Sequence, residues 1–522
     1  MSLINVNNLT FSYDGALENV FENVSFQIDT DWRLGFTGRN GRGKTTFLNL
    51  LLGKYEYGGV IDSSTDFVYF PFEVKDLERM TADVLSAVCP TAAEWEILRE
   101  ISLLGVATKA LYRPFRTLSD GERTKCLLAA LFLDDGKYRL LDEPTNHLDA
   151  AARERLGEYL KTKRGFLLVS HDRKLLDACA DRILSINKTN IEITRGNFSV
   201  WLENKERKDN FEFAENERIA KDIERLKTAA ARTADWSDRI ERSKIGSHVG
   251  DRGYIGHKAA KMAARSKATE KRLDAAAREK SKLLKNVEQN EDLKLRPLTF
   301  RGRRVAEFSD VSVFYGNRAV AERISFAIEP GDRINISGKN GSGKSTLLKL
   351  LVDGNLRHTE MPKTSQTSDL PRISGAPQTP DLSPTPETGV RYTGGLYIPP
   401  NLKISFVPQG ASRLSGTLDD YAGEYGIDVS LFKTILSKLN FSRAQFEKDI
   451  ADFSDGQKRK VLISRSLCEE AHLYIWDEPL NFIDVLSRIQ IENLVSRYEP
   501  TLIFVEHDRT FCEKTATKFI AL

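Results

Sequence analysis

Two lysines, four acidic residues and two histidines recur along this chain in one fixed order, at spacings that suit the handling of a phosphate chain. The first set opens with GRNGRGKTT at 38–46, which follows an apolar stretch and precedes FLNLLLG. A strand, a glycine loop and a helix in that order are the context in which GxxxxGK[ST] binds phosphates. Gly38, Gly41 and Gly43 let the backbone of Arg39, Asn40 and Arg42 curl. Successive N–H groups and the helix N-terminus then face the β- and γ-phosphates. Lys44 adds a point charge, Thr45 offers a hydroxyl to magnesium and Thr46 continues the loop. Further on come LSDGER at 118–123, YRLLDEPTNHLD at 138–149 and GFLLVSHD at 165–172. Asp142, at the end of an apolar strand, is a candidate magnesium ligand. Glu143 beside it is placed to polarise an attacking water, and His171 after a strand could contact the terminal phosphate.

The second half repeats the order. ISGKNGSGKST at 336–346 contributes Gly338, Lys339, Asn340, Gly341, Ser342, Gly343, Lys344, Ser345 and Thr346. FSDGQKRK, YIWDEPLNFID and LIFVEHD then supply Ser454, Gly456, Gln457, Asp477, Glu478 and His507. The magnesium candidates of this copy are Ser345 and Asp477, and ISFVPQG places Gln409 where the ATP-binding-cassette ATPases, which this motif order resembles, carry a magnesium-sensing glutamine. The first copy reads FVYFPFEV there, with Phe72 at the glutamine's position, and a phenyl ring cannot ligate a metal. The first site is therefore expected to hold magnesium with one fewer protein ligand. Tyr13 and Tyr315 sit a little before their loops, where the resemblance implies an adenine-stacking aromatic. The same resemblance implies Ser119, Gly121 and Glu122 over the nucleotide of the second loop, and Ser454, Gly456 and Gln457 over that of the first. ATP and magnesium are the implied cofactors.

These groups need elements to position them. Lys44 to Lys344 is 300 residues, whereas Glu143 to Glu478 is 335, so the second copy holds about 35 extra residues. The stretch 354–400, rich in Pro, Ser and Thr, accounts for them and reads as a surface loop. The expected fold is α/β: two tandem P-loop cassettes at 1–200 and 299–522, joined by a long antiparallel α-helical hairpin at 201–298. Ile219, Ile223, Leu226, Ala230 and Ile240 keep a 3–4 spacing on the first arm. Met262, Leu273, Ala276, Leu283 and Val287 keep it on the second. About thirty residues per arm would reach roughly 45 Å.

The whole chain carries a net charge of +3, but 239–285 alone carries fourteen basic residues against five acidic ones. IGSHVGDRGYIGH breaks the two arms at a tip near 244–258. Around it stand Trp236, Arg242, Lys244, His248, Arg252, Tyr254, His257 and Lys258. Basic and aromatic side chains together suit the phosphates and stacked bases of folded RNA. No apolar run reaches the roughly 18–20 residues of a membrane span. The start shows no secretory leader pattern. The five scattered cysteines read as reduced packing thiols of a cytoplasmic protein.

The ordered motifs resemble the ATP-binding-cassette ATPases over both halves. In that superfamily each ATP is held between the P-loop of one cassette and the SDG segment of the other, so a tandem chain can pair its own cassettes as a monomer. Two cassettes without a membrane domain, joined by a charged hairpin, are similar to the ABC-F subfamily of ribosome-acting ATPases. FENVSFQIDTDWRLGFTGRNGRGKTTFLNLLLGKYEY, YFPFEV and KIGSHVGDRGYIGHKAAKM resemble the Lsa-type antibiotic-resistance members. The resemblance implies entry at the exit site of the 70S ribosome and contact of the hairpin with P-site tRNA. It also implies approach of the tip to 23S rRNA at the peptidyl-transferase centre. Lincosamides, pleuromutilins or streptogramin A would thereby be displaced. A housekeeping factor for stalled ribosomes, the ATPase subunit of a drug exporter and a DNA-structure binder are the other expectations.

Overall fold

The segments FLLV at 166–169 and LIFV at 502–505 have no polar alternation, as expected of strands covered on both faces. Both are wholly buried at the centres of two parallel sheets. In a computed structural model of the chain, the first sheet has six strands. Their order is Asp66–Phe70, Lys137–Asp142, Phe166–Val169, Arg33–Thr37, Arg182–Ile186 and Ile191–Arg195, with only the last antiparallel. The second has five parallel strands, in the order Ile404–Val407, Leu473–Asp477, Leu502–Val505, Arg333–Ser337 and Lys518–Ala521. In both, the strand feeding the phosphate loop lies between strands reached by crossovers, where an open α/β sheet leaves a crevice at its carboxyl ends.

The structure describes residues 2–15, 19–134, 136–146, 148–186, 190–242, 293–315, 318–339, 341–359, 390–411 and 414–522, with isolated helical positions between 261 and 276. The described chain divides into two compact units, one of residues 1–199 with 291–522 and one of residues 200–290. Both sheets belong to the first unit.

Each cassette also carries a three-stranded antiparallel sheet. The first orders Phe21–Asp29, Leu3–Phe11 and Gly58–Ser63, and the second Arg318–Ile328, Ala306–Tyr315 and Val390–Tyr397. Ile4, Val6, Leu9 and Phe11 face a core shared with Leu34, Phe36, Phe47 and Leu48. Val313, Ile324, Leu347 and Leu351 do the same in the second cassette. The segment 354–400 differs from its expectation as one long loop. The helix Lys344–Thr359 runs into it, and Val390–Tyr397 forms the third strand of the antiparallel sheet. Tyr392 and Leu396 pack on the core there. Averaged composition hid these ends because the Pro/Ser/Thr bias resides in 360–389, which lies outside the described residues.

The helix Phe198–Arg242 is 45 residues long, about 67 Å at 1.5 Å per residue and half again the length expected. Its sequence lacks glycine and proline, and pairs such as Lys221–Glu217 at 2.7 Å support its exposed face. Asp177 anchors its start, accepting from the Ser199 amide at 2.7 Å and the Ser199 hydroxyl at 2.6 Å. Trp236 and Arg242 fall on this helix, their side chains undescribed. Lys244, His248, Arg252, Tyr254, His257 and Lys258 lie outside the described residues.

Candidate functional site

Within the first unit the cassettes meet head to tail, and each phosphate loop faces the SDG segment of the other. The first cleft, ≈ 520 Å³, is lined by Asn40, Lys44, Thr45, Asp142, Glu143 and His171 on one side and by Ser454 and Gly456 on the other. The second, ≈ 870 Å³, sets Lys344, Ser345, Gln409, Glu478 and His507 against Ser119 and Gly121.

The loops owe their shape to glycines in the left-handed region, which an L side chain rarely enters. Gly41 and Gly43 have φ of 79° and 93°, and Gly341 and Gly343 have 82° and 88°. Gly38, Arg39 and Arg42 in the first loop, and Gly338 and Ser342 in the second, build the curl without lining the clefts. The Lys44 ammonium is folded into its loop, donating to the Gly38 and Arg39 carbonyls at 2.7 and 3.2 Å. Lys344 does the same to Gly338 and Lys339 at 2.9 and 3.0 Å. Burial lowers the pKa of both lysines. Their partners are carbonyl dipoles, which an anionic phosphate would outcompete.

Ser119 and Ser454 are N-caps. Each accepts from the amide three residues on, while Glu122 and Gln457 turn back to accept from the serine amides at 2.9 Å. Glu122 and Gln457 thus fix the serine at each helix mouth. The Asn40 side-chain amide crosses the interface and donates to the Phe482 carbonyl at 2.6 Å. Its oxygen stands 3.1 Å from His171 Nε2, which makes that nitrogen the donor. Tyr13 reaches Thr46 through hydroxyl oxygens 2.7 Å apart, and its ring stacks edge-on against Phe11 and Tyr55. Tyr315 ends its strand with its side chain undescribed, and Asn340 lies outside the described residues.

Glu143 and Glu478 share a feature that residue type does not announce. Both take left-handed backbone angles, φ 48° and 49°, directly after their strands. This turns each carboxylate towards the histidine of its own cassette, at 3.6 Å for His171 and 3.7 Å for His507. Their electrostatics differ. Burial, then the neighbouring Asp142 charge, raises the Glu143 carboxyl to about 7. Burial would also raise Glu478, but hydrogen bonds to His507 and Gln409 outweigh it and hold that carboxyl at about 2. Burial and the Lys44 charge push the His171 imidazole towards its neutral form.

The candidate metal ligands fit magnesium by their chemistry, which is all hard oxygen. The Thr45 hydroxyl donates to Asp142 at 3.2 Å. Asp477 is fully buried with Ser345 beside it, and neither carboxylate oxygen has a partner that meets hydrogen-bond geometry. Burial raises both aspartates, Asp477 to about 6. Phe72 packs edge-on against Phe70 and does not line the first cleft. Tyr69 donates its hydroxyl to Asp142 at 3.1 Å instead. Sequence reasoning missed Tyr69, together with Asn481, Phe482, Arg153 and Arg488 at the cleft walls. The recurrence of an asparagine three residues after each glutamate was the available signal for Asn146 and Asn481.

The sequence profile of the ABC transporter family matches residues 21–146 and 321–481. The ribosome protection protein VmlR of Bacillus subtilis is 27% identical over 518 residues, covering 98% of this chain and 85% of that protein. The ABC transporter F family member 2 of Arabidopsis thaliana is 24% identical over 575 residues, 99% of this chain and 76% of its own length. The archaeal ribosome recycling factor aABCE1, solved with ribosomal stalk protein aP1, superposes with a TM-score of 0.57 at 17% identity. That match covers 98% of this chain and 87% of the solved one, and it bears on the fold alone.

Proposed function

The chain belongs to the ABC transporter family and is an ATPase, and we propose that it is an F-type member that works on the ribosome, protecting the peptidyl-transferase centre from antibiotics. One observation carries the reading. A single chain sets each phosphate loop against the SDG segment of its other half and sends the long charged helix Phe198–Arg242 into a separate 200–290 unit, and it is similar over 98% of its length to a ribosome protection protein. Among the described residues no helix is long and apolar enough to cross a membrane.

The chemistry follows from the clefts. The loop amides, Lys44 and Lys344 hold the β- and γ-phosphates. Ser119 and Ser454 close over them from the opposite cassette. Magnesium, held by Thr45 and Asp142 or by Ser345, Asp477 and Gln409, would supply charge neutralisation at the phosphates. Glu143 and Glu478 orient the attacking water and take its proton, and His171 and His507 face the terminal phosphate. ATP then works as the bond between cassettes, and hydrolysis removes it. That switch sets how long the 200–290 segment stays beside P-site tRNA and 23S rRNA, with its basic tip near the bound lincosamide, pleuromutilin or streptogramin A.

A cytoplasmic housekeeping factor for stalled ribosomes is the second reading, with which the similarity to the ABC transporter F family member 2 of Arabidopsis thaliana is equally consistent. Glu143→Gln/Glu478→Gln protein should co-sediment with ribosomes in ATP, and failure to do so refutes both readings. Expression of the native chain in a drug-sensitive host separates them. Raised tolerance supports protection, and unchanged tolerance with intact ribosome binding supports the housekeeping role.

A further inference from the structure

The two SDG helices differ in how they are fastened to their own cassettes. In the second cassette the helix Asp455–Cys468 begins at Ser454 and Gly456, which line the first cleft. One turn on, Arg459 lines the second cleft, 3% exposed. Its guanidinium donates to the Pro408 carbonyl at 2.6 Å and to the Gln409 carbonyl. Arg465 donates to the Phe406 carbonyl, the Ser466 and Ser405 hydroxyls are 2.7 Å apart, and Trp476 Nε1 donates to Ser466 at 3.0 Å. One helix is thus pinned along the strand Ile404–Val407 and to the backbone of the glutamine that follows it. In the first cassette the matched positions hold Thr124, Ala130 and Leu131 on the helix, and Val68, Phe72 and Leu141 opposite. Thr124 is too short to span the same gap, and the other five side chains have neither donor nor acceptor.

We propose that Arg459 is a positioning residue that couples occupancy of the first ATP site to the placement of Gln409 in the second. The proposal rests on reading both clefts as ATP sites. Nucleotide in the first cleft seats the N-terminus of the pinned helix. Because Arg459 grips two consecutive carbonyls, the segment bearing Gln409 must move with that helix. The first cassette lacks the corresponding fastening, so the two sites communicate through one helix rather than two. Binding linkage through this route is reciprocal, but the effect on turnover falls on the second site, where Gln409 stands beside Glu478.

The test uses full-length Lys344→Ala protein, whose second site is weakened for ATP. Hydrogen–deuterium exchange is read at the peptide spanning 407–411 with and without ATP in the first site. Protection should appear on adding ATP, vanish in Arg459→Thr and persist partly in Arg459→Lys, which keeps the charge but not the fork. Exchange without nucleotide should rise in Arg459→Thr, where the grip on the two carbonyls is lost, so protection is read in each protein as the change on adding ATP. In a Glu143→Gln background, Arg459→Thr should lower second-site kcat about tenfold or more, with KM changed by less than about threefold. Protection that survives in Arg459→Thr overturns the proposal, as does a fall in KM-controlled rate alone. Should Arg459→Thr fail to fold, undiminished protection in Arg459→Lys overturns it. Failure of the first cleft to bind ATP at all refutes the ATP-site reading instead.

Discussion

Arg173 offers a direct measure of how strongly the cassettes hold one another. It follows His171 in the first cassette and meets Glu492 of the second at 2.7 Å and Asp508 at 3.6 Å. The Arg173 and Glu492 side chains are 6% and 3% exposed, so solvent screens the pair weakly. Removing one partner of a buried pair costs about 3–5 kcal/mol, mostly from the charge left behind. Here the loss is smaller, because Lys514 stays on Glu492 at 2.7 Å and Arg488 on Asp508 at 3.3 Å. About 2–3 kcal/mol is therefore expected for Arg173→Met. Since the pair spans the interface, the loss falls on closure and should weaken it about 30- to 150-fold. The assay is an ATP titration of the Glu143→Gln/Glu478→Gln protein, followed by energy transfer between one label on each cassette. Arg173→Met/Glu492→Leu should recover part of the loss, because no buried carboxylate is then stranded. A shift below about threefold in the single variant, against the tenfold per 1.4 kcal/mol that such energies imply, would refute the reasoning.

Three further outcomes are open to measurement. A Cβ on Gly456 would lie 2.6 Å from the Phe482 carbonyl and 3.0 Å from Asn40 Nδ2. Phe482 belongs to the same cassette as Gly456 and Asn40 to the other, so Gly456→Ala should weaken closure in the same titration and also lower the denaturant midpoint of the second cassette. Lys460 donates to Asp484 and to the Leu439 carbonyl, each at 2.8 Å, and both side chains are almost fully buried. Lys460→Met should cost about 3–5 kcal/mol in denaturant unfolding, and Lys460→Met/Asp484→Asn, which removes the charge but keeps a cap on the Ser487 amide, should restore part of it. Burial would raise the Asp508 carboxyl, but the Arg488 and Arg173 charges outweigh it and hold it below the usual carboxylate range. A depressed folded pKa gives stability that is complete above the unfolded value, about 3.9, and lost as pH falls through the folded one. Acid unfolding below about pH 4 should therefore be shallower in Asp508→Asn than in the native chain.

Much of the fold was legible because its signals are local. The glycine loops, the apolar strands before Asp142 and Asp477 and the breaker-free run from Phe198 need only neighbouring residues for their reading. The site was legible to the extent that chemistry travels in short motifs, which is why both halves of each cleft could be named. What escaped depends on distance along the chain or on backbone angle. Arg173 and Glu492 lie 319 residues apart, and nothing in either neighbourhood identifies the other. Tyr69 could not be read as a hydroxyl aimed at Asp142, because its strand FVYFPF looks uniformly apolar. Val390–Tyr397 was absorbed into its biased neighbour, although its pairing with Ala306–Tyr315 makes it part of the sheet.

The left-handed backbone at Glu143 and Glu478 sets turnover against stability. A non-glycine residue held there costs about 1–3 kcal/mol, and glycine would relieve it at an entropic cost of about 0.5–1 kcal/mol. Folding alone would choose another residue at both positions. Glu143→Gly and Glu478→Gly should unfold at higher denaturant than the native chain while hydrolysing no ATP at the altered site. In a lineage released from the need to hydrolyse, catalysis would no longer hold glutamate at these two positions against that relief.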